Sequence, residues 1–166
     1  MKTKDIQFLI NVARLVAEQS YAIRLKVGGV VADKDGNIIA YGYNGSPRGM
    51  DNTCETRHYP TLDHALGIDV NNQTYPYYDD QLDKPYRLVT NDNVVHCEQN
   101  LIAHAARRGI SINGGMMFLT HSPCEHCASM IIQSGVKDVY YIERFRTMDI
   151  VSEKFKEFIN FYQVTL

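Results

Sequence analysis

The stretch VVHCEQNLIAHAARRGISINGGMMFLTHSPCEHCASMIIQSGVKDVYYI, from Val94 to Ile142, decides the fold. Glu98 to Arg108 carries Leu101, Ile102, Ala105 and Ala106 at helical spacing, with Gly109 as a C-terminal stop. Met116 to Thr120 is a short apolar run that predicts a buried strand. Ser122-Pro123 predicts a helix start, with Ser122 as N-cap and Pro123 in the first turn. That helix runs to about Gln133 and stops near Gly135, and Val139 to Ile142 predicts the next strand. Strands alternating with helices indicate an α/β layered domain with helices on both faces of one sheet.

The pattern extends towards the N-terminus. Residues 5–19 place Ile6, Leu9, Ile10, Ala13, Val16 and Ala17 on one helical face. Val27 to Ala32 is β-branched, Asp33 to Asn37 is a turn sequence, and Ile38 to Tyr43 predicts a second strand, together a β-hairpin. Residues 44–93 are rich in Asn, Asp, Tyr, Gly and Pro and show no sustained period. We read an irregular insert at about 50–93, with a short helix possible from Thr61 to Gly67. Ser152 to Phe161 predicts a last helix, followed by an apolar tail. The 166 residues suit one domain, 1–166.

With 45% hydrophobic residues and a net charge of −2, the chain can bury a core but does not look like a general polyanion binder, so no nucleic-acid partner is expected. No apolar run approaches the length of a membrane span, and no export signal is visible, which predicts a cytoplasmic protein with no membrane partner. In that setting the four cysteines suggest metal or redox chemistry more than disulfides.

His96, Cys124 and Cys127 offer one imidazole and two thiolates, a donor set that fits zinc. The two cysteines share a face at a helix start, where the dipole favours thiolates. Three protein ligands leave the fourth tetrahedral position open to water, the mark of a catalytic zinc. Glu98 is the carboxylate that would take and pass the proton. His-x-Glu followed by Pro-Cys-x-x-Cys is a zinc deaminase signature. Taken alone, Cys-x-x-Cys also fits a redox pair or half of a structural zinc knot.

At four stretches the sequence resembles the deoxycytidylate (dCMP) deaminases, phage-encoded members included, of the cytidine deaminase superfamily. They are Val27 to Val31, against the family's Val-Gly-Ala-Val-Ile; Gly42 to Gly49 (GYNGSPRG); His96 to Asn100, against His-Ala-Glu-x-Asn; and Ser122 to Cys127, continued by Gln133 to Val136. The match covers about residues 5–48 and 94–146. The resemblance implies a three-layer α-β-α sandwich around a mixed five-stranded sheet, and hydrolysis of dCMP to dUMP with release of ammonia. It also implies activation by dCTP and inhibition by dTTP, Mg2+ on the effector, and a homo-oligomer, commonly a hexamer. Carried over by position, Asn44 reaches the sugar or an effector, and the backbone at Cys97 and Ser122 meets the base edges. Arg107 falls where related phage enzymes have Arg, although a helix C-terminal cation is an equal reading. Phe145 and Arg146 match an effector-responsive aromatic–Arg pair.

Two departures stand out. Cys97 replaces a small Ala, either as inert packing or as an oxidation-sensitive thiol. His121 replaces an apolar residue, facing either solvent or a pocket. Smaller signals are Arg24 and Lys26 for a phosphate, or as a solvated pair, and Arg48 with Tyr43 and Gly45 for an effector triphosphate. Cys54, His58 and His64 are candidate ligands for a second, structural zinc. Tyr75, Tyr77 and Tyr78 could stack on a base or pack a subunit. The rival readings are a deaminase that also or mainly accepts dCTP, a tRNA-type nucleic-acid deaminase, and a non-catalytic zinc assembly module. The last has no use for Glu98.

Overall fold

A computed structural model describes residues 2–61 and 74–165; His64 and nearly all of the possible helix from Thr61 lie outside them. The elements in order are α1 (Thr3–Ala17), β1 (Gly28–Ala32), β2 (Ile38–Tyr43), β3 (Glu55–His58), β4 (Tyr77–Asp79), β5 (Lys84–Thr90) and α2 (Cys97–Arg107). There follow β6 (Met116–His121), α3 (Glu125–Gln133), β7 (Asp138–Glu143), α4 (Met148–Phe155) and β8 (Asn160–Gln163).

The main sheet has five strands in the order β2-β1-β6-β7-β8. β1 pairs antiparallel with β2 and β6, whereas β6–β7 and β7–β8 are parallel, so the sheet is mixed. Parallel neighbours need crossovers, and α3 and α4 supply them. Side chains alternate faces along each strand. Val31, Met117, Leu119, Val139 and Tyr141 pack with Leu101, Ile131 and Val151 of α2, α3 and α4. Val30, Ala32 and Phe118 pack on the other face with Leu9 and Ile10 of α1. The result is the expected three-layer sandwich.

Two glycines set how closely the helices approach. A Cβ at Gly28 would lie 2.2 Å from the Ala17 backbone nitrogen in α1, and one at Gly42 would lie 2.7 Å from the Leu101 nitrogen in α2. Both helices therefore rest on strand backbone, and α2 carries the start of the site with it.

The structure corrects three readings. The region from Asn44 to Asn93 is not irregular throughout, because β3, β5 and β4 form a separate antiparallel sheet in that order. Its knot is Asp79, which accepts from Arg57 and the Tyr59 hydroxyl, both at 2.7 Å. The last helix is α4, ending at Phe155, and the segment expected to finish it forms β8 instead. Ser122 is not a helix N-cap; Cys124 is, and α3 starts at Glu125. The reason is that both polar groups of Ser122 are bound across to the end of β7, its N–H by Glu143 O at 2.9 Å and its Oγ by Phe145 N–H at 2.7 Å. Of the second-zinc candidates, Cys54 lies just before β3, where its carbonyl accepts from Asn91 N–H, and His58 ends that strand, while His64 is outside the described residues.

Candidate metal centre and active site

The N-termini of α2 and α3 converge. His96 is the N-cap of α2 and Cys124 the N-cap of α3, with Cys127 in the first turn of α3. His96 Nδ1 lies 3.7 Å from Cys124 Sγ and 3.5 Å from Cys127 Sγ. The ligand atoms of the three residues all lie within 4.8 Å of one another, the one such group among the described residues. Tetrahedral zinc with Zn–S of about 2.3 Å and Zn–N of about 2.0–2.1 Å needs an N···S separation of roughly 3.6 Å. The two distances fit that ion without rearrangement.

The electrostatics agree. A hydrogen bond from the Cys127 thiol, with help from His96, holds the Cys124 thiol down at about 3. Cys127 is pushed well above the usual thiol range by its bond to Cys124 and by burial. One thiolate and one thiol thus share a proton, which a bound cation would release. Glu98 is only 4% exposed, and burial lifts its carboxyl to about 7. A group balanced there takes and gives protons near neutrality.

The other expected residues fall into two sets. The first touches the turn that carries His96 and Glu98. Gly45 pairs by backbone with Val95. Asn100 Nδ2 donates to Tyr43 O at 2.8 Å, and the Cys97 thiol donates to Gly42 O at 3.1 Å. Phe145 reaches the Cys124 side through its bond to Ser122 Oγ, and Arg146 lies over the Phe145 ring at 5.5 Å. Because the Ser122 N–H is spent on Glu143, any backbone contact from Ser122 to a base falls to its carbonyl.

The second set lies on the loop between α1 and β1. Asn44 is committed there: its Oδ1 accepts from Val27 N–H at 2.8 Å and its Nδ2 donates to Leu25 O at 2.9 Å. Arg24 donates to Thr90 Oγ1 at 3.0 Å, and Lys26 lies 3.5 Å from Glu18 O. Arg107, in the last turn of α2, and Arg48 are exposed. Cys54 is buried, which raises its thiol. His121 is half-buried beside Thr120 Oγ1, lining a cavity of about 640 Å³ with Arg14, Lys26 and Glu143.

Sequence reasoning missed two residues. Gln99 accepts the His96 N–H at 2.9 Å and fixes the entry to α2; its place three residues after the cap was the available signal. Glu55, 8% exposed, accepts from the backbone N–H groups of Ile23 and Arg24 and holds the α1–β1 loop. Nothing local in the sequence announces it.

Fold and site together define a deaminase-type zinc centre: a three-ligand cluster at two helix starts with a buried carboxyl beside it. The model of the cytidine and deoxycytidylate deaminase zinc-binding region matches residues 3–143, and the chain belongs to this family. The deoxycytidylate deaminase of Enterobacteria phage T4 is 35% identical over 152 residues, covering 82% of this chain and 77% of the phage protein. The crystal structure of a dCMP deaminase from cyanophage S-TIM5, in complex with dCMP and dUMP, aligns with a TM-score of 0.74 at 31% identity, over 99% of both chains. A bifunctional deaminase/reductase from Thermotoga maritima, at 22% identity and a TM-score of 0.58 over 96% of this chain and 36% of that one, shares the fold.

Proposed function

We propose that the chain hydrolyses dCMP to dUMP and ammonia, and that Glu98 is its proton carrier. The observation that carries the mechanism is geometric: the buried Glu98 side chain stands two residues from His96, beside the His96, Cys124 and Cys127 cluster. Zinc held by those three residues supplies hydroxide near neutral pH. The net reaction exchanges the C4 amino group of cytosine for an oxygen from water. Glu98 would accept the first proton of that water on a carboxylate oxygen and pass it to ring N3, then carry the second, from the C4 hydroxyl so formed, to the departing amine, which leaves as ammonia. Burial keeps bulk water from competing for that proton. Cys97 and Ser122 offer backbone groups to the base, and Asn44 the carboxamide valences left beyond its loop bonds. Arg24 and Lys26 are the cations assigned to the 5′-phosphate, and Arg107 is a further substrate-binding residue.

Regulation belongs to the same reading. dCTP with Mg2+ activates and dTTP inhibits, through Tyr43, Gly45 and Arg48, with Phe145 and Arg146 as receivers. The Gly45–Val95 pairing one residue before His96 supports a direct mechanical link. The working form is a homo-oligomer, a hexamer, consistent with Tyr21, Ile23 and Leu25 standing exposed on a loop held by Asn44 and Glu55. Among the described residues no helix is long and apolar enough to cross a membrane. We place the enzyme in the cytoplasm, that of the host if a phage encodes it, where reducing conditions keep its thiols free.

Ammonia release from dCMP, dCTP and deoxycytidine, each with and without dCTP and dTTP, tests this reading. dCMP is the preferred substrate. Equal turnover of deoxycytidine overturns the nucleotide assignment, and indifference to both triphosphates overturns the regulatory one.

A further inference from the structure

Gly29 of β1 and Cys97 of α2 meet in the interior. Cys97 is fully buried, with its sulfur 3.1 Å from Gly42 O. A Cβ added at Gly29 would lie 3.2 Å from that sulfur, 2.5 Å from Leu119 Cδ2 and 3.0 Å from Phe118 O. The sulfur that α2 contributes therefore lies against the bare Cα of Gly29 in β1.

We infer that Gly29 and Cys97 form one packing unit that seats the first turn of α2 on the sheet, and that Cys97 is thereby a positioning residue for His96 and Glu98. Interiors are packed as densely as crystals, so a missing or extra heavy atom shifts what rests on it. What rests on the sulfur is the residue between the metal ligand and the proton carrier. The thiol adds direction, because its bond to Gly42 O ties that turn to β2. Asn100 and His104 continue the tie one and two turns further along α2, to the carbonyls of Tyr43 and Tyr41. Misplacement of a catalytic group by a fraction of an ångström to 1 Å costs roughly tenfold to 10²-fold in rate. The effect belongs in kcat, since the side-chain variants keep the Cys97 backbone groups offered to the base.

The catalytic part of this inference rests on the dCMP deaminase reading; the packing part does not. The test is a cycle of Cys97→Ala, Gly29→Ala and the double variant, with Cys97→Ser as the conservative control. Each is loaded with zinc for kcat and KM on dCMP and for thermal midpoint, and with Co2+ for its visible spectrum. Cys97→Ala should lower kcat about tenfold with KM within twofold, and shift the cobalt bands. Cys97→Ser, which keeps one heavy atom and a donor, should hold kcat within about threefold of the parent. Gly29→Ala should lower the thermal midpoint more in the parent than in the Cys97→Ala background, where the sulfur contact at 3.2 Å is gone while Leu119 Cδ2 and Phe118 O still crowd the new Cβ. Parental kcat and cobalt spectrum in Cys97→Ala, or the same effect of Gly29→Ala in both backgrounds, overturns the inference. If Gly29→Ala yields no folded protein, recovery of the double variant supports the coupling, and its loss as well overturns it. If the parent itself shows no turnover of dCMP, the functional reading fails, while midpoint and cobalt spectrum still decide this one.

Discussion

Gly45 and Val95 bond to each other in both directions, N–H to carbonyl at 3.1 Å and 2.9 Å, one residue before His96 of the candidate metal cluster. The GYNGSPRG loop is therefore joined by backbone to the start of α2. A ligand that reorders the loop moves His96 and Glu98 unless this pairing breaks. Arg48, exposed beyond it, is the loop's cation. Arg48→Ala should raise the dCTP concentration for half-activation at least fivefold, within the usual 1–3 kcal/mol of coupling. Maximal turnover should stay within about twofold. Activation curves at several dCMP concentrations check this, and an unmoved half-activation point removes Arg48 from the effector site.

The metal assignment rests on the separation of His96 from the two sulfurs. Cys124→Ala removes the thiolate whose acidity the site enforces and leaves two ligands. Elemental analysis after gel filtration should then find less than about a tenth of the parental zinc. Stoichiometric zinc in that variant would mean that other residues hold the ion.

Asn44 has a structural duty that its place in a nucleotide motif hides. Its carboxamide satisfies Val27 N–H and Leu25 O together. Asn44→Ala leaves both groups without that partner, at a cost of roughly 1–3 kcal/mol. Urea unfolding without nucleotide measures it. An unchanged midpoint would leave Asn44 a ligand contact alone.

His121 gives a pH signature. Burial holds its imidazole below the ordinary value of 6.5 in the folded chain, with Glu143 opposing weakly. The unfolded chain then binds the extra proton first, so the stability His121 permits is full above about pH 6.5 and is lost as pH falls through and below it. His121→Gln removes that loss. Between pH 7 and pH 5.5 its thermal midpoint should fall less than the parent's, and equal slopes would show that the imidazole is not held neutral.

How much the sequence revealed follows physical lines. β1 and β6 were legible as continuous apolar runs buried on both faces, β2 by the turn sequence that joins it to β1, and α2 by Leu101 and Ala105 at helical spacing. β3 and β5 were not: Glu55-Thr56-Arg57-His58 has no apolar alternation, and Pro85 and Arg87 interrupt the other run, since this small sheet is held by polar contacts around Asp79. β8 was read as helix because Phe155, Phe158 and Phe161 fall near helical spacing. In the structure Phe158 is exposed, and Asn160 to Gln163 extend the sheet beside β7. His96, Glu98, Cys124 and Cys127 were visible because metal chemistry restricts residue type and spacing. Contacts made by backbone across long sequence distances, such as Phe145 to Ser122, leave no mark on residue type.

The most direct measurement is dCMP turnover by zinc-loaded parent and Glu98→Gln protein at neutral pH, with bound zinc determined on the same samples. Gln keeps the size of the side chain but can neither take nor give the proton. The account predicts steady ammonia release with formation of dUMP by the parent. It predicts full zinc retention and a loss of at least 10²-fold in kcat for Glu98→Gln, the usual worth of a general acid–base group being about 10²–10⁴. Parental turnover in a zinc-replete Glu98→Gln protein would contradict it.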